Sequence, residues 1–404
     1  MKPPNSTDPP DSIANETLAQ QIRALPRVVW VIFIGVFIHR FGTFVVPFLT
    51  LYLNDSGYSV GRIAWVFVIW AIGGIGAMIA GGRLSDLMGR KNTMSLALIS
   101  GGISMLFLWQ VDTYPLLLVA VFFSGLTHGM YHPAASSLLA DVVPADRRVT
   151  AYGVVRWAIN LGFACGMAAG GFLAEIGYKW LFIGDFITSV TYGIIAFFLL
   201  PHGLRTTAKM SRWAPALRDM LGNRRFVLFF FANLLAVSSF FQWGSSGALL
   251  IIDLGYPKSV YGWIMAGNGL LIAFLELPIS QLGRRRNPRH VIALGFLLCG
   301  VGVSLCGFAN GWVMIVVAVL VFTLGEMISM PVSGAYVAEL APEKMRGRYN
   351  AAVGLTWNLG HAISPGAGLL LYKSAPNVLW VGMALLGLVS AALMMGRFNE
   401  VSEE

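Results

Sequence analysis

Charge is what this sequence has least of. Only 12% of its 404 residues are Asp, Glu, Lys or Arg, against 56% hydrophobic, whereas a soluble domain carries roughly a quarter charged residues. A water-soluble enzyme of this size could not cover its surface with so little charge. Cysteine is nearly absent too. Cys165, Cys299 and Cys306 all lie in apolar stretches, so no disulfide framework is expected. Pro (18) and Gly (46) are too few for a collagen-like or disordered chain. No nucleotide-binding signature and no nucleophile–base spacing of the enzyme kind stands out, so neither ATP drive, nor catalysis, nor a cofactor is expected.

Long apolar runs fill the chain instead. A bilayer-crossing helix needs about 20 mostly apolar residues. Twelve such segments can be read: 27–53, 59–83, 92–110, 114–140, 149–176, 178–200, 225–253, 258–282, 290–308, 311–337, 347–372 and 376–396. The expected class is therefore an all-α membrane protein. Residues 1–26 are polar and lack a signal-peptide core, so the first span itself is expected to direct insertion. Lys and Arg fall unevenly between alternate connections. One set holds 22 of the 28, the other only Arg62, Lys179, Lys258 and Lys373, and Arg40 and Arg156 lie within spans. The positive-inside rule then places both termini in the cytoplasm of an inner-membrane protein. That bias accounts for the net charge of +9 and leaves a nucleic-acid partner nothing to explain. The connection 201–224 is also expected inside. Trp213, Leu217, Met220 and Leu221 recur there at helical spacing among basic residues, which suggests a helix lying on the inner membrane face.

The chain repeats at an offset of 198 residues. His132-Pro133 and Ala140-Asp141-Val142-Val143-Pro144 correspond to Met330-Pro331 and Ala338-Glu339-Leu340-Ala341-Pro342; Asn160-Leu161-Gly162 corresponds to Asn358-Leu359-Gly360. Two six-span halves result: bundles over 27–200 and 225–396, with tails at 1–26 and 397–404. Parallel repeats around a midplane site are a transporter architecture, suited to alternating access.

The segment Gly82-Arg83-Leu84-Ser85-Asp86-Leu87-Met88-Gly89-Arg90-Lys91 resembles the loop signature of the major facilitator superfamily, departing only at Leu87. The resemblance implies the twelve-span, two-bundle fold of that family. Gly82 permits close helix approach and Gly89 a tight turn. Asp86 would latch onto the start of span 11 and a neighbouring Arg such as Arg148, with Arg90 beside it, holding the outward-open state. Span 5 carries Gly153, Gly162, Gly166, Gly170 and Gly171, similar to the span 5 motif of drug/proton antiporters in that superfamily. Met167 stands where their Pro is expected. Small residues at this spacing let helices pack very closely. The buried Arg such exporters carry in span 4 is Val121 here, so a relay built on that Arg is not carried over. His39-Arg40-Phe41-Gly42 faintly resembles the first span of proton-coupled peptide transporters, without their preceding acid.

Charged groups in hydrocarbon are costly and usually face a cavity. Arg40, His128, Glu326 and His361 fall near the midplane, and His128 and Glu326 are equivalents under the repeat. Glu326, in apolar surroundings, is the first candidate for loading and releasing a proton, with His128 and Arg40 in support. The alternative is a structural ion pair of Glu326 with Arg40 or Arg156. Candidate substrate-cavity groups are Arg40, His128, His132, Arg156, Asn160, Asn268, Glu276, Trp357, Asn358 and His361. Asp185 reads as structural. His128 and His132 lie one turn apart with no third ligand, so no metal is expected. The resulting expectation is a proton-coupled exporter of amphiphilic small molecules. It would act as a monomer among membrane lipids, with small-molecule substrate and protons as its partners. Proton-coupled uptake or exchange of a peptide, lipid or metabolite is the alternative within transport; a non-transporting membrane receptor or enzyme is the alternative outside it.

Overall fold

A computed structural model describes residues 17–202, 213–283 and 286–396. Among them there is no strand. The helices are α1 (Leu18–Arg23), α2 (Arg27–Gly42), α3 (Val45–Asp55), α4 (Val60–Met88), α5 (Arg90–Gln110), α6 (Tyr114–Val142), α7 (Arg148–Ile176) and α8 (Lys179–Leu199). They continue with α9 (Trp213–Gly222), α10 (Arg224–Phe240), α11 (Ser246–Asp253), α12 (Lys258–Gly283), α13 (Pro288–Ser304), α14 (Trp312–Leu340), α15 (Arg346–Ser374) and α16 (Pro376–Met395).

The repeat offset holds for the helix ends themselves. Adding 198 to the bounds of α6 gives those of α14, and adding it to α7 gives those of α15. Single-turn 3₁₀ segments sit between each pair, at Ala145–Arg147 and Glu343–Met345. Gly57 and Gly255, also 198 apart, both take left-handed backbone (φ 80° and 83°) just after α3 and α11, a conformation that only glycine adopts cheaply. The packing repeats as well. In the first half α4 packs on α6, α5 on α6 and α8, and α2 on α7 and α8. In the second, α12 packs on α14, α13 on α14 and α16, and α10 on α15 and α16. The halves meet through α7 with α12 and through α4 with α15, a two-fold arrangement.

Among the described residues, ten helices or helix pairs are long and apolar enough to cross a membrane. The other two expected passes are helical but fail that test. The segment 347–372 lies within α15, which is too polar to qualify. The segment 225–253 is broken into α10 and α11 by a turn at 241–245. The first pass is interrupted at the equivalent place, between Gly42 and Val45, although α2 and α3 together still qualify. Hydropathy averaged over a span's length smooths over both breaks, because apolar residues flank the few polar ones at each turn.

Helix α9 meets α10 at 90°. Of its expected apolar stripe Met220 is buried, joined by Ala216, while Leu217 and Leu221 are exposed; the Trp213 side chain lies outside the described residues. Asp219 fixes the helix by accepting a hydrogen bond from the Tyr349 hydroxyl at 2.6 Å. The N-terminal tail to residue 16, residues 203–212 and the C-terminal tail from 397 lie outside the described residues.

Candidate functional site

His128 is the middle residue of α6, and Glu326 is the middle residue of α14. The repeat has put an imidazole and a carboxyl at the same depth in opposite halves. The polar residues near that depth form three groups rather than one.

The first group belongs to the N-terminal half. Arg40, in the last turn of α2, contacts His132 of α6 (Nη2 to Nε2, 2.9 Å). A guanidinium can only donate, so Nε2 of His132 accepts and its ring is held as the neutral Nδ1–H form. His128 lies beside it, with ring centroids 5.9 Å apart, and His39 is 6.4 Å from His128. His132 is exposed although it lies far from either helix end, whereas His39 is buried. Arg40 has no acidic partner within ion-pair distance among the described residues, and its Nε is buried without a hydrogen bond. No group of three or more His, Cys, Asp or Glu side chains suited to a metal occurs among the described residues.

The second group belongs to the C-terminal half. The Asn268 amide of α12 donates to Glu326 Oε2 at 3.3 Å and to Thr323 Oγ1 at 2.9 Å. Glu326 has no cationic partner within ion-pair distance among the described residues. Arg156, a candidate partner from sequence, is taken by Glu276. Its Nε donates to Glu276 Oε2 at 2.7 Å, and a second, parallel contact joins Nη2 to Oε1. This bidentate pair bridges α7 and α12 and so joins the two halves. The Asn160 amide donates to the Arg156 carbonyl on its own helix at 3.2 Å.

The third group crosses between the halves. His361 of α15 meets Phe67 and Trp70 of α4 at ring distances of 5.3 and 6.2 Å, and Phe241 at 4.7 Å. Trp70 in turn lies 6.0 Å from His128. Trp357 packs against Phe240 and Phe241. The Asn358 amide donates to the Gly354 carbonyl at 3.2 Å and reaches Met78 Sδ of α4 at 3.7 Å. Gln242 is buried and donates to Ser364, while Trp263 is exposed beside Tyr256 and Trp312 on an apolar groove of about 440 Å³.

The glycines of α7 make close approaches. A Cβ on Gly162 would meet the Phe37 carbonyl and Arg40 Cβ of α2, and one on Gly170 would meet Phe44 and Phe48. Gly166 abuts the carbonyl of Phe41, and Gly171 abuts Ser259 and Gly262 of α12. Gly166→Val is therefore expected to lower the thermal midpoint of the purified protein, by overpacking worth about 1–3 kcal/mol. Gly153 differs: a Cβ there would meet nothing within 4 Å.

Of the signature loop, Gly89 takes φ 85° at the joint of α4 and α5. Arg90 pairs with Asp141 of α6 at 2.7 Å and donates to the Ser137 carbonyl. Arg148 donates through Nε to the Val143 carbonyl at 3.2 Å. The surroundings of Gly82 and the side chain of Asp86 are outside what is described.

One cluster was not singled out by sequence reasoning. At the end opposite the termini, Asp55 of α3 pairs with Lys258 of α12 at 2.8 Å and accepts from the Tyr178 hydroxyl at 2.8 Å. The Lys258 ammonium sits 4.2 Å from the Tyr178 ring centroid. Ser259 N–H donates to Glu175 beside them. Burial and the Asp55 hydrogen bond push the Tyr178 phenol far above its ordinary pKa, so it stays a donor throughout the physiological range. Two further bonds join the halves nearby. Thr50 donates to the Gly244 carbonyl, freed by the break between α10 and α11, and Tyr261 donates to the Pro47 carbonyl. The signal was present in the sequence: Lys258 is one of four basic residues in the sparse set of connections, and Asp55 and Asp253 are repeat equivalents. Asp253 instead pairs within its own half, with Tyr372 and Lys373. Asp55→Asn and Lys258→Gln are expected to open this end. Cysteines placed there should label several-fold faster in either variant, and the double variant should add little.

Comparison with known proteins completes the site. The profile of the Major Facilitator Superfamily matches residues 32–250 and 234–403. A Na(+), Li(+), K(+)/H(+) antiporter of Planococcus maritimus is 27% identical, over 84% of this chain and 86% of its own. The quinolone resistance protein NorA of Staphylococcus aureus is 24% identical, over 92% and 95%. Among solved structures, a mutant form of the nucleoside transporter NupG superposes with a TM-score of 0.76 at 15% identity, covering 91% of this chain and 99% of that one.

Proposed function

The chain belongs to the Major Facilitator Superfamily and is a multi-pass secondary transporter, not an enzyme; from that premise we propose that it exports amphiphilic small molecules in exchange for protons, by alternating access. The basic connections face the cytoplasm of an inner membrane, as the Lys and Arg asymmetry favours. The end carrying Asp55 and Lys258 then faces outward.

One observation carries the proton reading. Glu326, at the middle of α14, is held by a neutral amide and by no cation among the described residues. A carboxyl in that setting can be neutral or charged without breaking an ion pair, which is what a carrier needs. Arg156 is occupied by Glu276 and does not pin Glu326 in its charged form. The export direction draws support from the span 5 glycines and from the relatives, one titled an antiporter and one a resistance protein. The substrate would meet Arg40, His132 and His128 on one side and Asn268, Trp357 and His361 on the other. Rocking about α7–α12 and α4–α15 would expose this space alternately to each face. Asp86, with Gly82, Gly89, Arg90 and Arg148, would form the inner latch.

A second reading rests on Arg40. With no acid beside it and Nε unbonded, it suits the anionic group of a peptide, lipid or metabolite taken up or exchanged. Purified protein in liposomes under an imposed pH gradient separates the two. Export of ethidium-like cations that collapses with the gradient supports the first reading. Movement of anionic substrates alone supports the second.

A further inference from the structure

Asp185 reads from sequence as a structural acid, and the mechanism above leaves it unused. It is buried at 4% exposure in α8. Its Oδ1 accepts the hydroxyl proton of Ser189 at 3.0 Å. Ser189 Oγ is in turn 3.2 Å from His39 Nδ1. A hydroxyl has one proton, and Ser189 has given it to Asp185. Nδ1 of His39 must therefore be the donor in the second contact, which fixes the ring as the Nδ1–H tautomer. The result is a directed chain, His39 to Ser189 to Asp185. It borders a void of about 20 Å³, lined also by Thr43, Thr127, His128 and Tyr131, which is room for about one water. Val46, at the start of α3 just after the break in the first span, lines the same void.

We propose that Asp185 is a second proton-binding carboxyl, loaded through His39 and Ser189. A proton from the interior adds to Nε2 of His39. The Nδ1 proton passes to Ser189 Oγ as the Ser189 hydroxyl proton passes to Asp185 Oδ1. The carboxylate becomes a carboxylic acid, and His39 ends as the Nε2–H tautomer, reset by ring rotation. The groups facing this chain are few. The helix α2 brings His39 and Arg40, α6 brings His128, His132 and Tyr131, and α8 adds Tyr192. The helix α5 lines the void only with Ala97, Leu98, Gly101 and Met105. Glu175, the acid of α7 nearest that end, is engaged by Ser259. Arg40 is thus the one fixed cation of the set, and it repels a proton resting on the imidazoles while leaving the acid as the place where it settles.

The proposal rests on the proton-coupled reading for its purpose, but its chemistry is read without transport. Infrared titration of the purified protein, with no substrate, follows the C=O stretch of protonated carboxyls. Two pH-dependent acid bands are expected. Asp185→Asn, whose amide oxygen can still accept from Ser189, should remove one and leave the other; Glu326→Gln should do the reverse. Ser189→Ala keeps the carboxyl but cuts the chain, and should slow hydrogen–deuterium exchange of the Asp185 band about tenfold, the effect of one lost hydrogen bond. An unchanged spectrum in a folded Asp185→Asn protein overturns the proposal. Should that variant not fold, unchanged exchange in Ser189→Ala overturns it. Loss of the Glu326 role alone would leave the Asp185 band in place, so the two failures are told apart.

Discussion

Glu326→Gln is expected to uncouple transport from an imposed pH gradient while leaving substrate binding intact. The amide keeps the size of the side chain and can still meet Asn268, whose 3.3 Å contact holds Glu326 in α14. It cannot load a proton. Gradient-driven flux in liposomes should fall at least about tenfold, equivalent to roughly 1.4 kcal/mol or more of lost driving. Downhill exchange between the faces should persist, and the protein should melt near the wild-type temperature, because no ion pair is broken. Full gradient dependence in the variant would exclude Glu326 as the carrier. Loss of substrate binding would point instead to a direct contact between Glu326 and substrate. Asn268→Ala is the companion measurement. It leaves the carboxyl but removes its donor, so the pH dependence of flux should shift without disappearing.

Some of this arrangement was legible before any coordinates, and the reason is physical. Hydrophobic length reports helices directly, and a repeat of 198 residues reports two similar halves. The depth of Glu326 and His128 followed from the same arithmetic, and both are the middle residues of 29-residue helices. What hydropathy could not report was which polar groups meet. Arg156 and Glu276 are 120 positions apart, and nothing local to either names the other. The same holds for Arg40 and His132, 92 apart. The Asp185–Ser189 step is a turn of one helix and was in principle visible, since residues four apart share a face. Its meaning came only with His39, 150 positions away from Ser189. Breaks in the first and seventh passes were hidden because the polar residues at each turn, Thr43 in one and Gln242 and Ser245 in the other, are few beside the long apolar stretches that flank them.

The Arg156–Glu276 pair carries an asymmetric expectation. Its guanidinium side is 46% exposed and its carboxyl side 9%. Removing one partner of a buried pair is costly because it leaves the other charge buried and unmatched. Arg156→Met strands the buried Glu276, whereas Glu276→Gln strands a guanidinium that already reaches open space. The first should therefore destabilise by about 2 kcal/mol, discounted from the fully buried range because half of the pair is wet. The second should cost less than about 1 kcal/mol. Combining Arg156→Met with Glu276→Gln should restore most of the loss, since no uncompensated charge is left. The consequence extends to function because the pair joins α7 to α12, and with α4–α15 this is where the halves touch most extensively. Weakening it should ease separation of the bundles toward the basic end, so cysteines placed there should label faster in Arg156→Met than in Glu276→Gln. Thermal melts in detergent across the four proteins measure the first effect, and labelling rates in membranes measure the second. Equal melting losses for the two single variants would show that the carboxyl is not stranded and that water reaches both charges alike.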